Sequence, residues 1–308
     1  MRAIGRAGAG TNNIPVAALT TGGVPVFNAP GANANAVKEL VLAGMLMAAR
    51  NVAPALRFVA ALDAKAADLD KRVEDGKKAY AGYELAGQTL GIIGLGKIGC
   101  LVADAAIKLG MNVLGYDPHI TVDAAWSLPS QVKKAASVND VLRSAQFVTL
   151  HVPLAESTRH LVNDGNIGLM RHGAVLLNFS REDVVAQPHL GASTREAEEN
   201  CAVMVVDQVR DYLENGNIAN AVNFPTVAME RESPFRVAIA NANVPNMLGQ
   251  ISTAMAKAGL NIHNMVNKSR GEMAYTLVDV DSVVSGEVIG ALQGIGGVLA
   301  VRYLPAAG

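Results

Sequence analysis

Thr89-Leu-Gly-Ile-Ile-Gly94-Leu-Gly96-Lys97-Ile98-Gly99-Cys100 is the stretch that decides the fold. The apolar run 89–94 reads as a strand, and 99–109 carries helical spacing. Between them stand three glycines in a G-x-G-x-x-G pattern. Gly94 permits a tight turn, Gly96 lets backbone approach a pyrophosphate, and Gly99 lets helix and strand pack closely. The helix start then offers free N–H groups and a positive dipole end to phosphates. Asp117 lies 18 residues past Gly99, at the end of the next apolar run, 112–117. A carboxylate there accepts hydrogen bonds from ribose hydroxyls and repels a 2′-phosphate. No Arg or Lys lies within several residues of it, so NAD is expected in preference to NADP. A glycine turn without a ligand is the competing reading. The strand before, the helix after and Asp117 weigh against it.

Outward from this point the alternation continues. Residues 138–145 read as a short helix, 147–152 as a strand, 163–170 as a helix and 174–178 as a strand. Strands alternating with helices at this spacing form βαβ units and a parallel sheet, here expected to be doubly wound and Rossmann-type. Such strands are buried on both faces, which suits their unbroken apolar character. Upstream, 36–62 is a buried helix followed after Asn51 by a second, and 63–83 is polar and surface-like. Residues 1–35 are rich in Gly, Pro and Asn and read as loops and short strands, a partial substrate (lid) domain. The nucleotide-binding domain is expected over 36–193, shortened internally at 182–188. A returning helix should cover 194–218, and a Pro-containing linker 219–234. The last part, 235–308, restarts with a βαββαβ rhythm, a ferredoxin-like module of a size that folds alone.

Composition bounds the function. Half of the 308 residues are hydrophobic, but only 13 are aromatic (Phe 6, Trp 1, Tyr 6) against 50 alanines, so small side chains do much of the packing. A net charge of -1 excludes the broad basic face that drives non-specific nucleic-acid binding. Two cysteines, Cys100 and Cys201, cannot build a disulfide framework or a cysteine zinc site, and both read as core residues in a reducing, cytoplasmic setting. No leader-like apolar stretch follows the N-terminus, and no uncharged run is continuous enough to span a membrane. No histidine shows metal-ligand spacing. His119, His151, His160, His172 and His263 are read as structural.

Two further positions carry chemistry. Phe179-Ser180-Arg181 ends a later parallel strand, where doubly wound sheets bind ligands. An arginine there either clamps a substrate carboxylate with its fork or is a surface residue. His189 sits in a loop before the long helix, as a proton shuttle near neutral pH or as a loop or capping histidine.

Taken together, Arg6-Ala-Gly-Ala-Gly-Thr-Asn-Asn-Ile-Pro15, Val26-Phe-Asn-Ala-Pro30, the glycine fingerprint, His151-Val-Pro153, Asn178-Phe-Ser-Arg181 and Pro188-His-Leu-Gly-Ala-Ser-Thr194 resemble the phosphoglycerate dehydrogenase branch of the D-isomer-specific 2-hydroxyacid dehydrogenases. The resemblance covers nearly the whole chain, and the C-terminal module resembles an ACT regulatory domain. It implies an NAD-dependent oxidoreductase that passes a hydride from 3-phospho-D-glycerate to NAD in serine biosynthesis. It also implies a homodimer or homotetramer with L-serine as an effector. By the same resemblance Arg181 holds the substrate carboxylate and His189 exchanges the hydroxyl proton. Lys97, Ile98, Asp117, Phe179, Ser180, Arg181, His189, Leu190, Gly191 and Ala192 match cofactor-contacting positions, with Gly94, Gly96 and Gly99. Asn241, Asn243 and Asn261 fall where some members bind serine, or are strand-end turn residues.

Two departures stand out. Relatives carry a strand–helix–strand start ahead of the segment that opens here at Met1. Relatives also place a few dozen residues between the arginine and the histidine, including the glutamate that bonds the histidine. Here only 182–188 intervene, and Glu182 replaces a glycine. Eight residue steps reach at most about 28 Å, so Arg181 and His189 can still meet. The expected consequences are a sheet short of its last strands and no clear carboxylate partner for His189. Glu182 and Asp183 are expected to pair with Arg181. A catalytically impaired cofactor- or serine-binding relative, and another NAD-dependent 2-hydroxyacid dehydrogenase, are the alternative readings.

Overall fold

The computed structural model describes residues 1–65, 67–185 and 195–305. Two compact units emerge, one of residues 34–197 and one of 1–33 together with 198–308. This differs from the five-part division expected from the sequence, because the N-terminal segment and the C-terminal module fall into the same unit.

That unit opens with β1 (Ile4–Arg6), α1 (Val16–Thr21) and β2 (Val26–Asn28), where β1 and β2 pair in parallel. The other unit begins with α2 (Ala34–Ala49), α3 (Val52–Ala60) and the exposed α4 (Leu69–Lys77). It continues with β3 (Thr89–Ile93), α5 (Lys97–Lys108), β4 (Asn112–Tyr116), α6 (Val122–Ser127), β5 (Lys133–Lys134), α7 (Val138–Ser144), β6 (Phe147–Leu150) and β7 (Val175–Asn178). These five strands form one parallel sheet in the order β5-β4-β3-β6-β7. Alternation along β3 explains its two covers. Leu90 and Ile92 join a core with Val37, Val41, Met45 and Ala49 of α2 and Val102, Ala103 and Ala106 of α5. Ile93 joins the opposite core with Val141 and Leu142 of α7. Gly91 is small because a Cβ there would stand 2.4 Å from a Val141 methyl.

The expected helix over 163–170 is only a 3-10 turn at Ile167–Leu169. Asn163 and Asn166 divert the backbone. Asn163 Oδ1 accepts from the Gly165 N–H (2.9 Å), and Asn166 Oδ1 accepts from the Asn163 N–H (2.9 Å). The polar stretch 63–83 contains α4, which has no buried face and was not legible from hydrophobic spacing.

α8 (Arg195–Asn215) leads to the C-terminal elements β8 (Phe235–Ala242), α9 (Met247–Lys257), β9 (Ile262–Arg270), β10 (Met273–Val280), α10 (Gly286–Gln293) and β11 (Val298–Pro305). The sheet is antiparallel in the order β11-β8-β10-β9, a ferredoxin-like topology. Val237 and Ile239 face α9 and α10, packing with Ile251, Met255 and Leu292. Ala238, Ala240, Tyr275 and Leu277 face the other way, onto Phe27, Tyr212, Ile218, Phe224 and Val227. Residues 219–234 are therefore not a free linker. They supply Ala221, Phe224, Val227 and Met229 to the core, because the second face of the sheet is apolar and needs a cover. Arg236 fastens the same region from inside. It is fully buried, bidentate on Asp279 (2.6 and 2.9 Å), and donates to the carbonyls of Asn215, Met229 and Glu230.

Candidate active site

All five strands of the parallel sheet run the same way, so their C-terminal ends share one edge. Four of the loops that leave it carry the candidate residues: Gly94–Gly96 after β3, Asp117 after β4, His151 after β6 and Phe179–Arg181 after β7. The strand order reverses at β3, which opens the crevice where such sheets take ligands.

Three glycines hold the first loop, each for a different reason. Gly94 has φ +94, and a Cβ would lie 2.6 Å from the His151 carbonyl oxygen. A Cβ on Gly99 would lie 2.1 Å from the Gly94 carbonyl oxygen, so helix and turn could not close. Gly96 faces open space with nothing within 4 Å of its Cβ position, which leaves a cradle at the start of α5. No side chain caps that helix, so its first N–H groups remain available to an anion. The pyrophosphate of NAD fits this arrangement.

Asp117 is held in place by the loop it serves. Its two carboxylate oxygens accept from the backbone N–H groups of Leu95 (2.8 Å) and His119 (2.9 Å). Lone pairs remain for ribose hydroxyls. Lys97 is exposed at the cradle, and Ile98 packs against the core beneath it. Cys100 lies under the same turn with its thiol directed at the Leu95 carbonyl (3.3 Å). Burial, and then Asp117, push its pKa up, so it is an inert core thiol. Cys201 is likewise buried, and burial outweighs Arg6 in raising its pKa.

The loop after β7 is organised by Asn178, a residue that sequence reasoning missed. Its Oδ1 accepts from the Ser180 N–H (3.1 Å) and hydroxyl (2.8 Å), and its Nδ2 donates to the Arg181 carbonyl (2.9 Å). An Asn closing an apolar strand was the available signal. Ser180 is buried, whereas Arg181 is partly exposed, with Nη1 on the Ser180 carbonyl (2.8 Å). The ring of Phe179 packs on Gly44 of α2 and the adjoining core. Asp183 does not pair with Arg181 as expected; it pairs with Arg159, which the 158–162 loop brings to it. His189, Leu190, Gly191 and Ala192 lie outside the described residues.

His151 is enclosed at the end of β6. Its Nε2 and the Thr149 hydroxyl are 3.0 Å apart, and its Nδ1 has no partner among the described residues. Burial lowers its pKa to about 4, so the ring is neutral near pH 7. Among the described residues no group of His, Cys, Asp or Glu could hold a metal ion, and no single helix is long and apolar enough to cross a membrane.

In the C-terminal module, Asn241 and Asn243 line one small cavity with Asn246, Asn267 and the start of α9. Asn261 is not with them. It precedes β9, whose start pairs with the end of β10, at the far end of the sheet from Ala242. Its backbone N–H donates to Asp281. Within one chain, the three asparagines do not form one site.

A glycine cradle, a pinned ribose carboxylate and an arginine on one sheet edge define an NAD-binding dehydrogenase domain. The comparisons agree. Residues 42–224 match the family described as D-isomer specific 2-hydroxyacid dehydrogenase, NAD binding domain. The chain belongs to that family. It is 33% identical to a D-3-phosphoglycerate dehydrogenase of Methanocaldococcus jannaschii, over 91% of this chain and 57% of the relative. It is 30% identical to the Escherichia coli D-3-phosphoglycerate dehydrogenase, over 96% of this chain and 79% of the relative. The chain thus spans little more than half of the first relative and about four fifths of the second. Among solved structures, the fold is similar to the Rhodotorula graminis D-mandelate dehydrogenase (TM-score 0.62, 21% identity, 74% of this chain and 75% of that one). It is also similar to a D-2-hydroxyisocaproate dehydrogenase (TM-score 0.61, 20% identity, 72% and 79%).

Proposed function

We propose that this chain is an NAD-dependent phosphoglycerate dehydrogenase that oxidises 3-phospho-D-glycerate to 3-phosphooxypyruvate, the opening step of phosphorylated serine biosynthesis. The observation that carries the proposal is Arg181 held by Asn178 on the same sheet edge as the Gly94–Gly99 cradle and Asp117. NAD supplies the hydride acceptor when bound. Asp117 orients the ribose, and the start of α5 holds the pyrophosphate. Arg181 grips the substrate carboxylate and so aligns C2, and His189 accepts the hydroxyl proton as the hydride leaves C2. The setting is cytoplasmic and the assembly a homo-oligomer. The βαββαβ module acts as an ACT domain, taking L-serine with Asn241 and Asn243 on one chain and Asn261 from another.

A binding-only relative is the second reading, favoured by the short span 182–188. Asp183 is committed to Arg159, which leaves Glu182 as the remaining carboxylate beside Arg181. Losing the acid that orients a catalytic histidine costs roughly 10⁴-fold in the serine-protease case. Turnover below that of a longer relative is therefore expected. The test is NADH formation from NAD and 3-phosphoglycerate, with Arg181→Gln beside the unmutated chain. Slow formation that falls a further hundredfold or so in the variant supports the enzyme, since a lost charge-assisted clamp is worth about 3 kcal/mol. NAD binding with no NADH above background supports the second reading. Equal rates in both chains would remove Arg181 from the site.

A further inference from the structure

The C-terminal end of α8 gathers more cations than a helix end needs. Arg302 of β11 and Arg231 take neighbouring carbonyls there: Arg302 Nη2 donates to Leu213 (3.0 Å) and Arg231 Nη1 to Glu214 (3.2 Å). Arg302 also donates to the Tyr212 carbonyl (3.2 Å) and lies over the Tyr212 ring, 4.5 Å from its centroid. Arg231 is fixed by the carbonyls of Ser233, Pro234 and Leu304. The two guanidiniums are thus held on adjacent carbonyls, at the wall of a cavity of about 640 Å³ that Arg2 also lines. That is the size of a small-molecule pocket. One cation answers the partial charge of a helix end, about half a negative charge. Here there are three, and Glu214 is the one carboxylate among the residues that line the cavity. Among the described residues none of these four takes part in an ion pair. Burial, and then Arg236, lower the Arg231 pKa, with Asp279 the larger of the opposing influences. Arg302 uses two of its five N–H donors on carbonyls and Arg231 four, so both keep donors for an oxyanion.

We propose that this cavity is an anion site, taking a small molecule with two or more negative charges, phosphorylated or polycarboxylate, through Arg2, Arg231 and Arg302. It goes beyond the dinucleotide reading, since its residues all belong to the other compact unit. Arg231 and Arg302 are pre-organised, because backbone carbonyls fix their forks before any ligand arrives. Arg2 is exposed and adds charge from the facing chain segment. Val301, Tyr303 and Pro305 give the cavity apolar wall for the carbon body of the ligand. A bound anion would tie β11 to the end of α8 and to the start of the chain, and so stabilise this unit by mass action.

The experiment is isothermal titration calorimetry of inorganic pyrophosphate and, separately, of citrate into the full chain, R2Q and R302Q at constant ionic strength. NAD is present throughout, because pyrophosphate also suits the cradle of α5. Circular dichroism checks that each variant is folded. R2Q alters an exposed residue and is expected to keep the fold, whereas R302Q also removes a helix cap. At least one of the two anions is expected to bind the unmutated chain, and which one binds tells phosphate from carboxylate. Its Kd should rise about threefold in R2Q, as for one exposed cation. It should rise about tenfold or more in R302Q, as for lost charge-assisted hydrogen bonds. A Kd unchanged in R2Q overturns the proposal whether or not R302Q folds, and an anion bound only at the cradle would give that result. Absence of binding by both anions at millimolar concentration overturns it as well. Failure of NAD to bind is a separate result that bears on the dinucleotide site alone, since the comparison between chains is read in the same way.

Discussion

The two larger sheets handle polar groups in opposite ways. In the parallel sheet the interior is apolar on both faces apart from Thr149, and the charged and amide residues stand at the strand ends: Asp117, Asn178, Arg181. In the antiparallel sheet the ends carry neutral asparagines, Asn241 and Asn243 at one and Asn261 at the other, and the charged pair is inside, Arg236 on Asp279 with no exposure. A parallel sheet wound by crossover helices gathers its loops on one edge, so chemistry can be placed there without disturbing the core. An antiparallel sheet with helices on one face must find a second cover. Here Tyr212, Ile218, Phe224 and Val227 provide it, and Arg236 locks it by taking the carbonyls of Asn215, Met229 and Glu230. Polar substitutions should therefore cost function in the first sheet and stability in the second.

Arg236→Ala is the strongest way to break that contrast. It leaves Asp279 charged and buried without its partner, and is expected to cost about 3–5 kcal/mol. Chemical denaturation followed by circular dichroism should show the loss. The double variant R236M/D279L should recover part of it, because the apolar pair removes the unpaired charge but leaves the carbonyls of Asn215, Met229 and Glu230 and the Glu232 N–H without these partners. An unchanged midpoint in R236A would mean that the pair does not fasten the module.

The nearest thing to a buried charge in the parallel unit is His151, and it behaves differently because it stays neutral. Its folded pKa of about 4 lies below the unfolded value of 6.5, so the unfolded chain binds the proton more readily. Stability from this group is fully present above about pH 6.5 and is lost as pH falls toward 4. The slope is at most about 1.4 kcal/mol per pH unit, about 3 kcal/mol over the window. Comparing unfolding of the unmutated chain and His151→Asn between pH 7 and 4 isolates it. Parallel curves would show that His151 is not the acid-sensitive group.

The smallest effect separates site from scaffold within one loop. Gly99→Ala puts a methyl against the Gly94 carbonyl, backbone that cannot swing away, and should cost about 1–3 kcal/mol. Gly96→Ala meets no protein atom and should leave stability within about 0.5 kcal/mol. It should still weaken NAD binding, since the methyl occupies the cradle. If calorimetry finds NAD affinity unaltered in Gly96→Ala, the pyrophosphate does not lie against that glycine.

Much of this was legible in the sequence because the physics is local. A strand, three glycines, a helix and a carboxylate at the next strand end specify the cradle within 29 residues, Thr89 to Asp117. The βαββαβ rhythm after Phe235 was equally readable, since alternation and helical spacing are properties of short windows. The local rules failed at 163–170, where asparagine side chains outbid the helix, and at 219–234, where two prolines suggested a spacer but Phe224 and Val227 are core. Glu182 and Asp183 were misjudged by proximity. Arg159 comes from 24 residues away and takes Asp183.

The sequence by itself determined that this chain carries a dinucleotide-binding parallel sheet and a second, ferredoxin-like module, because periodicity and turn chemistry act over neighbouring residues. Only the tertiary structure decided who stands beside whom. Strand order buried Arg236 on Asp279 and placed Asn261 at the far end of the sheet from Asn241. The first pair is 43 residues apart in the chain and the second 20, and pairing register, which no short window encodes, brings the one together and keeps the other apart.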